Sequence, residues 1–140
     1  MLMSVVKIWI HLVFATKNRQ PFLTGAIRRD VFQHMHKNAK AKGIEMDFVN
    51  GYYDHVHCLF KLPAQMSIAY AAQLIKGESS HWINELELTN PRFEWQDDYY
   101  AESVSPKDVE RIRNYIRNQE EHHRNTSFEK EIEGLDYFKD

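Results

Sequence analysis

His55 and His57 stand one residue apart inside 52–60, a run of strand-forming side chains interrupted by Asp54. Alternate residues of a strand share a face, so the two imidazoles should project side by side while Val56 and Cys58 point the other way. Neutral imidazole nitrogens suit divalent metals. The pair is equally compatible with packed core groups bonded to backbone carbonyls. A metal would need a third ligand and a reaction to serve.

The segment after Ser105 offers both. Ser105 can cap, Pro106 fits the first helical position, and Asp108 completes a capping-box-like spacing, so a helix is expected from there to about His123. On that helix Tyr115 and Gln119 are four residues apart, on neighbouring turns of one face. At 3.6 residues per turn they fall about 40° apart, flanking the apolar stripe of Val109, Ile112 and Ile116. A cation beside a tyrosine hydroxyl can lower its intrinsic pKa of about 10 and polarise a phosphate, making the phenol a nucleophile. A border tyrosine on an amphipathic helix would have the same pattern with no chemistry attached.

The elements that must position these groups are legible from periodicity. Residues 4–17 are β-branched and aromatic and read as a central strand, apolar on both faces. Thr24 is placed to cap a helix over about 25–42, with Ile27, Val31, Met35 and Ala39 at helical spacing and Gly43 ending it. Residues 44–50 and 55–62 form two strands around a turn near Asn50-Gly51. Ser67 opens a second amphipathic helix, and 94–104 is a fourth strand. The order strand, helix, strand, strand, helix, strand is the split βαβ, ferredoxin-like pattern of an α+β protein: a four-stranded antiparallel sheet with helices on one face. Tyr115 lies on an added helix, and 127–138 on a shorter terminal helix or arm.

Composition narrows the class. A chain of 140 residues, 43% hydrophobic and 27% charged, fits one ordinary globular domain spanning 1–140. Apolar runs are broken by Lys7, His11 or Lys61, so no membrane span is expected, and the first residues read as strand rather than signal peptide. The single cysteine, Cys58, excludes an internal disulfide and fits a reducing cytoplasm. Residues 1–61 carry nine Lys/Arg against four acids, a net of +5, whereas the remainder carries nine against sixteen, a net of −7. A basic half could hold nucleic acid, or could be a solvated face.

Several stretches together make the chain resemble the small single-tyrosine HUH transposases of bacterial and archaeal insertion sequences, the IS200-like family. They are HLVFATKNRQPFL at 11–23, DHVHCLFKLP at 54–63, LIKGESSHWIN at 74–84 and YIRNQEEHHRNTSFEKE at 115–131. The resemblance implies that His55 and His57 are metal ligands with Gln119 as the third, and that Tyr115 attacks a DNA phosphate to form a 5′-phosphotyrosine. It implies Mg²⁺ or Mn²⁺ as cofactor, single-stranded DNA with hairpins as substrate, and a homodimer whose sheets join edge to edge. Imidazole ligands should favour Mn²⁺ in affinity.

Lys17, Arg19 and Lys76 are candidates for phosphate contacts. His11, inside the first strand, reads as a packed polar group rather than a ligand, and His122 and His123 have no evident role. Cys58, Trp9, Trp82 and Trp95 read as core. The competing readings are a domain of this fold that binds nucleic-acid hairpins without cutting them, and a small-substrate phosphohydrolase. The second lacks the additional Asp/His cluster such sites need.

Overall fold

The computed structural model describes residues 4–119 and Ile132. Four strands, β1 (Trp9–Ala15), β2 (Glu45–Gly51), β3 (His55–Lys61) and β4 (Tyr100–Val104), form one antiparallel sheet in the order β2-β3-β1-β4. Helix α1 (Gly25–Ala41) connects β1 to β2, and α2 (Ile68–Glu85) connects β3 to β4. This is the ferredoxin-like α+β arrangement, and 45–51 and 55–61 pair as neighbours. Helix α3 (Val109–Arg117) follows β4.

The strand alternation sorts the sheet into two faces. Ile10, Leu12 and Phe14 of β1 and Val56, Cys58 and Phe60 of β3 join Val31, Met35, Ala72 and Ile83 of α1 and α2 in the main core. On the opposite face Leu59 and Val104 pack against Val109, Ile112 and Ile116 of α3. Helices thus cover both faces, which accounts for a β1 that is apolar throughout. His11, His55 and His57 belong to the α3 face. The expected amphipathic stripe of α3 is the surface that docks.

Four boundaries differ from the periodicity reading, each for a physical reason. β1 starts at Trp9 rather than residue 4, because both of its neighbours stop opposite Trp9, at Lys61 and Val104. Pro63 and Pro106 lie just beyond those points and cannot extend a ladder. The β2–β3 turn occupies 52–54, since Gly51 still pairs with Val56. A side chain at Gly51 would sit 2.2 Å from the His55 carbonyl oxygen, so glycine is needed there for close strand approach and not for the turn itself.

The fourth strand is shorter than 94–104. Trp95 makes an isolated bridge to Thr16, and the consecutive acids Asp97 and Asp98, poor strand formers, carry the chain away until Tyr100. After β4, Pro106–Asp108 form a 3-10 turn in which the Asp108 N–H donates to the Ser105 carbonyl, 2.8 Å, and the Ser105 side chain makes no cap. Helix α3 is broken at its C-cap Asn118, with Gln119 helical again, and the rest of the expected helix to His123 lies outside the described residues. The Asn50 amide donates to the carbonyls of Ile116 and Arg117, at 3.0 and 3.2 Å, satisfying acceptors in the last turn before that break. His122, His123 and 127–138 lie outside the described residues.

The predicted caps elsewhere hold in part. Ser67 caps α2 through Oγ, which accepts from the Tyr70 N–H at 3.0 Å. Thr24 occupies the N-cap position of α1 with extended backbone but makes no side-chain cap, and Gly43 with φ +80° follows its C-terminus. His34 of α1 bonds Glu78 at 2.7 Å and stacks on Trp82, joining the two helices.

Candidate active site

The site is built on the α3 face by β3, β1 and the end of α3. His55 and His57, same-face neighbours on β3, are fully buried, with ring centroids 5.1 Å apart. Gln119, two residues past the last residue of α3, is also fully buried, and its Oε1 lies 3.1 Å from His55 Nε2. Its amide nitrogen faces the Tyr115 carbonyl oxygen at 3.5 Å. Tyr115 is half-buried, its ring edge-on to His57 with centroids 5.6 Å apart. The tertiary fold therefore gathers the two histidines, the glutamine and the tyrosine, which are separated by about sixty residues of chain.

Two anchors hold α3 over the imidazoles. Asn50, opposite His57 in the β2–β3 register, caps the helix end as described. Asp47 sits at the register shift between Met46 and Phe48, where a bulge re-aims its side chain. Its carboxylate accepts two bonds from Arg113, Nε to Oδ1 at 2.8 Å and Nη2 to Oδ2 at 2.7 Å. A bidentate guanidinium–carboxylate pair fixes orientation as well as distance.

His55 Nδ1 lies 2.8 Å from Asp54 Oδ1. An ionised carboxylate only accepts, so Nδ1 carries a proton; a neutral ring then keeps its lone pair on Nε2, facing the lone pairs of Gln119 Oε1, whereas a protonated ring donates to it. Two acceptors 3.1 Å apart repel unless a cation or a proton lies between them. Donors bonded to one six-coordinate ion at about 2.1 Å are about 3 Å apart along an edge. The donor set of imidazole nitrogens and an amide oxygen thus fits a divalent transition ion. Among the described residues no group of three or more His, Cys, Asp or Glu side chains could hold a metal.

His11, read from the sequence as a packed polar group, is fully buried beside this set, with Nε2 2.8 Å from His57 Nδ1. Asp54 was missed by the sequence reading, although its position immediately before His55 was a signal. Asn50 had none, because only the sheet places it against α3.

The expected phosphate contacts each have local surroundings of their own. Lys17 pairs with Glu94 at 2.9 Å and Arg19 has a left-handed backbone with φ 52°, uncommon for its residue type. Lys76 donates to the carbonyls of Gln96 and Asp97, at 2.6 and 2.8 Å, and burial lowers its ammonium below the ordinary lysine range, partly offset by Asp97 and Asp98. It lines a cleft of about 490 Å³ with Arg92, Trp95 and Tyr99, which lies apart from the histidines. A further cationic and aromatic group was not anticipated: Arg28 lies 4.8 Å over the Tyr53 ring and 5.3 Å over Tyr52, in the turn that precedes Asp54. Cys58 is buried on the opposite face, where burial pushes its thiol up, as expected of a core residue.

The fold and the donor set together define a ferredoxin-like domain with a histidine pair facing a tyrosine helix. Residues 4–119 match the family model "Transposase IS200 like", and the chain belongs to that family of DNA-processing transposases. The match ends at Gln119. The transposase for insertion sequence element IS200 of Salmonella typhimurium is 30% identical over 115 residues, covering 78% of this chain and 74% of the relative. The IS200 transposase of Salmonella typhi matches to the same extent. Among solved structures, a candidate transposase from Deinococcus radiodurans superposes with a TM-score of 0.68 at 26% identity, covering 85% of this chain and 95% of that one. A REP-associated tyrosine transposase bound to a REP hairpin shares the fold, with a TM-score of 0.63 at 16% identity over 88% of this chain and 72% of that one. No helix among the described residues is long and apolar enough to cross a membrane.

Proposed function

We propose that the protein cleaves and rejoins single-stranded DNA at hairpin-bearing element ends through a phosphotyrosine at Tyr115. The observation that carries the proposal is the meeting of His55 Nε2 and Gln119 Oε1 at 3.1 Å beside His57, whose ring packs edge-on to Tyr115, within a transposase family member. A hairpin is the ligand of one protein of the same fold, and it is the substrate class proposed here.

In this reading His55, His57 and Gln119 would hold Mg²⁺ or Mn²⁺. When bound, the ion offsets charge developing on the non-bridging phosphate oxygens and helps ionise the phenol. Tyr115 Oη attacks phosphorus and gives up its proton to water. The bond from phosphorus to the 3′ oxygen breaks, and that oxygen takes up a proton to leave as a 3′-OH. One phosphodiester becomes another, so the liberated hydroxyl can later attack the phosphotyrosine without ATP. Burial of His55, His57 and Gln119 keeps competing water from the ligand side chains. Tyr115, half-buried, remains accessible to a strand.

The test is incubation with single-stranded DNA carrying the cognate element ends. The wild type should form a covalent adduct that mass spectrometry maps to Tyr115. Tyr115→Phe removes one oxygen from a partly exposed ring, so it should fold and bind the hairpin but form no adduct. An adduct on another tyrosine would overturn the assignment, and hairpin binding without any adduct would favour the non-cleaving binding module.

A further inference from the structure

We infer that His11 is a positioning residue of this site: through Nε2 it holds His57 in the tautomer that presents a lone pair from Nε2 to a divalent cation. The inference rests on the metal reading proposed above and assigns a role to a residue that the reaction does not itself require.

Strand register creates the contact. His11 pairs with Leu59 across β1 and β3, and His57 is two residues from Leu59 on the same face. Diagonal neighbours of this kind lie within reach of large side chains. The two rings are stacked, 5.1 Å between centroids and 22° between planes, with His11 Nε2 2.8 Å from His57 Nδ1. Both are fully buried.

Two neutral imidazoles joined nitrogen to nitrogen share a single proton, and its side decides what His57 can do. If His57 donates from Nδ1, its lone pair is on Nε2 and available to a cation. If His11 donates, the His57 proton moves to Nε2 and the ring cannot ligate there. The neighbouring histidine has the first arrangement: Asp54, an obligate acceptor, holds the proton on His55 Nδ1. Metal-binding histidines generally donate their other N–H to such a supporting acceptor, which orients the ring and raises its basicity. With His11 accepting, each candidate ligand is supported through Nδ1 by its own partner, a carboxylate for His55 and an imidazole for His57. The same contact commits His11 Nε2 to His57, so that nitrogen is not itself a ligand.

The experiment combines tautomer and affinity measurements on the full chain. Long-range ¹H–¹⁵N spectra of the metal-free wild type should show His57 protonated on Nδ1. Mn²⁺ titration followed by electron paramagnetic resonance should show affinity falling about 10–100-fold in His11→Leu, which removes the acceptor. His11→Gln, whose side-chain oxygen can still accept, should stay within about threefold of wild type, a rescue that a purely space-filling role would not produce. A wild-type His57 protonated on Nε2 would overturn the inference, even if His11→Leu failed to fold. Mn²⁺ binding by a folded His11→Leu at wild-type affinity would overturn it while leaving the metal reading intact. Failure of the wild type to bind Mn²⁺ would sink both, and the tautomer spectrum would still show whether His11 sets the proton on His57.

Discussion

His55 and His57 acquire their meaning from the atoms behind them. Asp54 and His11 each meet an Nδ1, and Gln119 meets the His55 Nε2 from the other side. Because the ligands should act as a unit, a His55→Ala/His57→Ala double variant should retain the circular dichroism of the fold and form no adduct with cognate DNA. Undiminished adduct would refute the metal assignment. Lys76 presents the opposite case, a candidate DNA contact that already has structural work. Its ammonium satisfies two carbonyls between α2 and β4, so Lys76→Met should cost about 1–2 kcal/mol in urea unfolding. A variant of unchanged stability that binds DNA more weakly would return Lys76 to the phosphate-contact role.

At the scale of elements, the decisive feature is how α3 breaks. Tyr115 lies within the helix and Gln119 beyond its end, so their relative placement depends on the turn at Asn118. Asn50 holds that turn from β2. Asn50→Ala should destabilise the protein by about 1 kcal/mol and reduce adduct formation far more than that loss explains, because the Gln119 amide would no longer be held at His55. Unchanged stability and adduct yield would show that Arg113 and the apolar stripe suffice to seat α3. The core strands owe their coherence to alternation: one β3 face goes into the main core with Cys58, and the other carries the histidines.

At the scale of the whole molecule, β2 and β4 are the sheet edges, and β4 is only five residues long. Val5, Val6 and Ile8 are exposed beside the sheet, an apolar stretch of the kind that marks protein contact surfaces. We propose that two chains associate through such surfaces, joining their sheets and removing an edge open to nonspecific pairing. Light scattering should give a dimer at micromolar concentration. A monomer under those conditions would count against this association.

What could be read from residues alone was whatever depends on local spacing. Alternation set the shared face of His55 and His57 and the core face of Cys58, and helical spacing set the buried stripe of α3, because both are properties of a few consecutive residues. The order of elements carried the ferredoxin-like fold. Boundaries depended instead on neighbours: β1 begins where both partner strands end, and α3 breaks where Asn50 takes its carbonyls. The support for the histidines divided the same way, Asp54 being adjacent in sequence and His11 reaching His57 only through the antiparallel register. Hydrogen bonds between distant segments follow from how strands pair and helices dock, and no local pattern specifies those contacts, so the proton-holding partner of His57 was a decision of the tertiary structure.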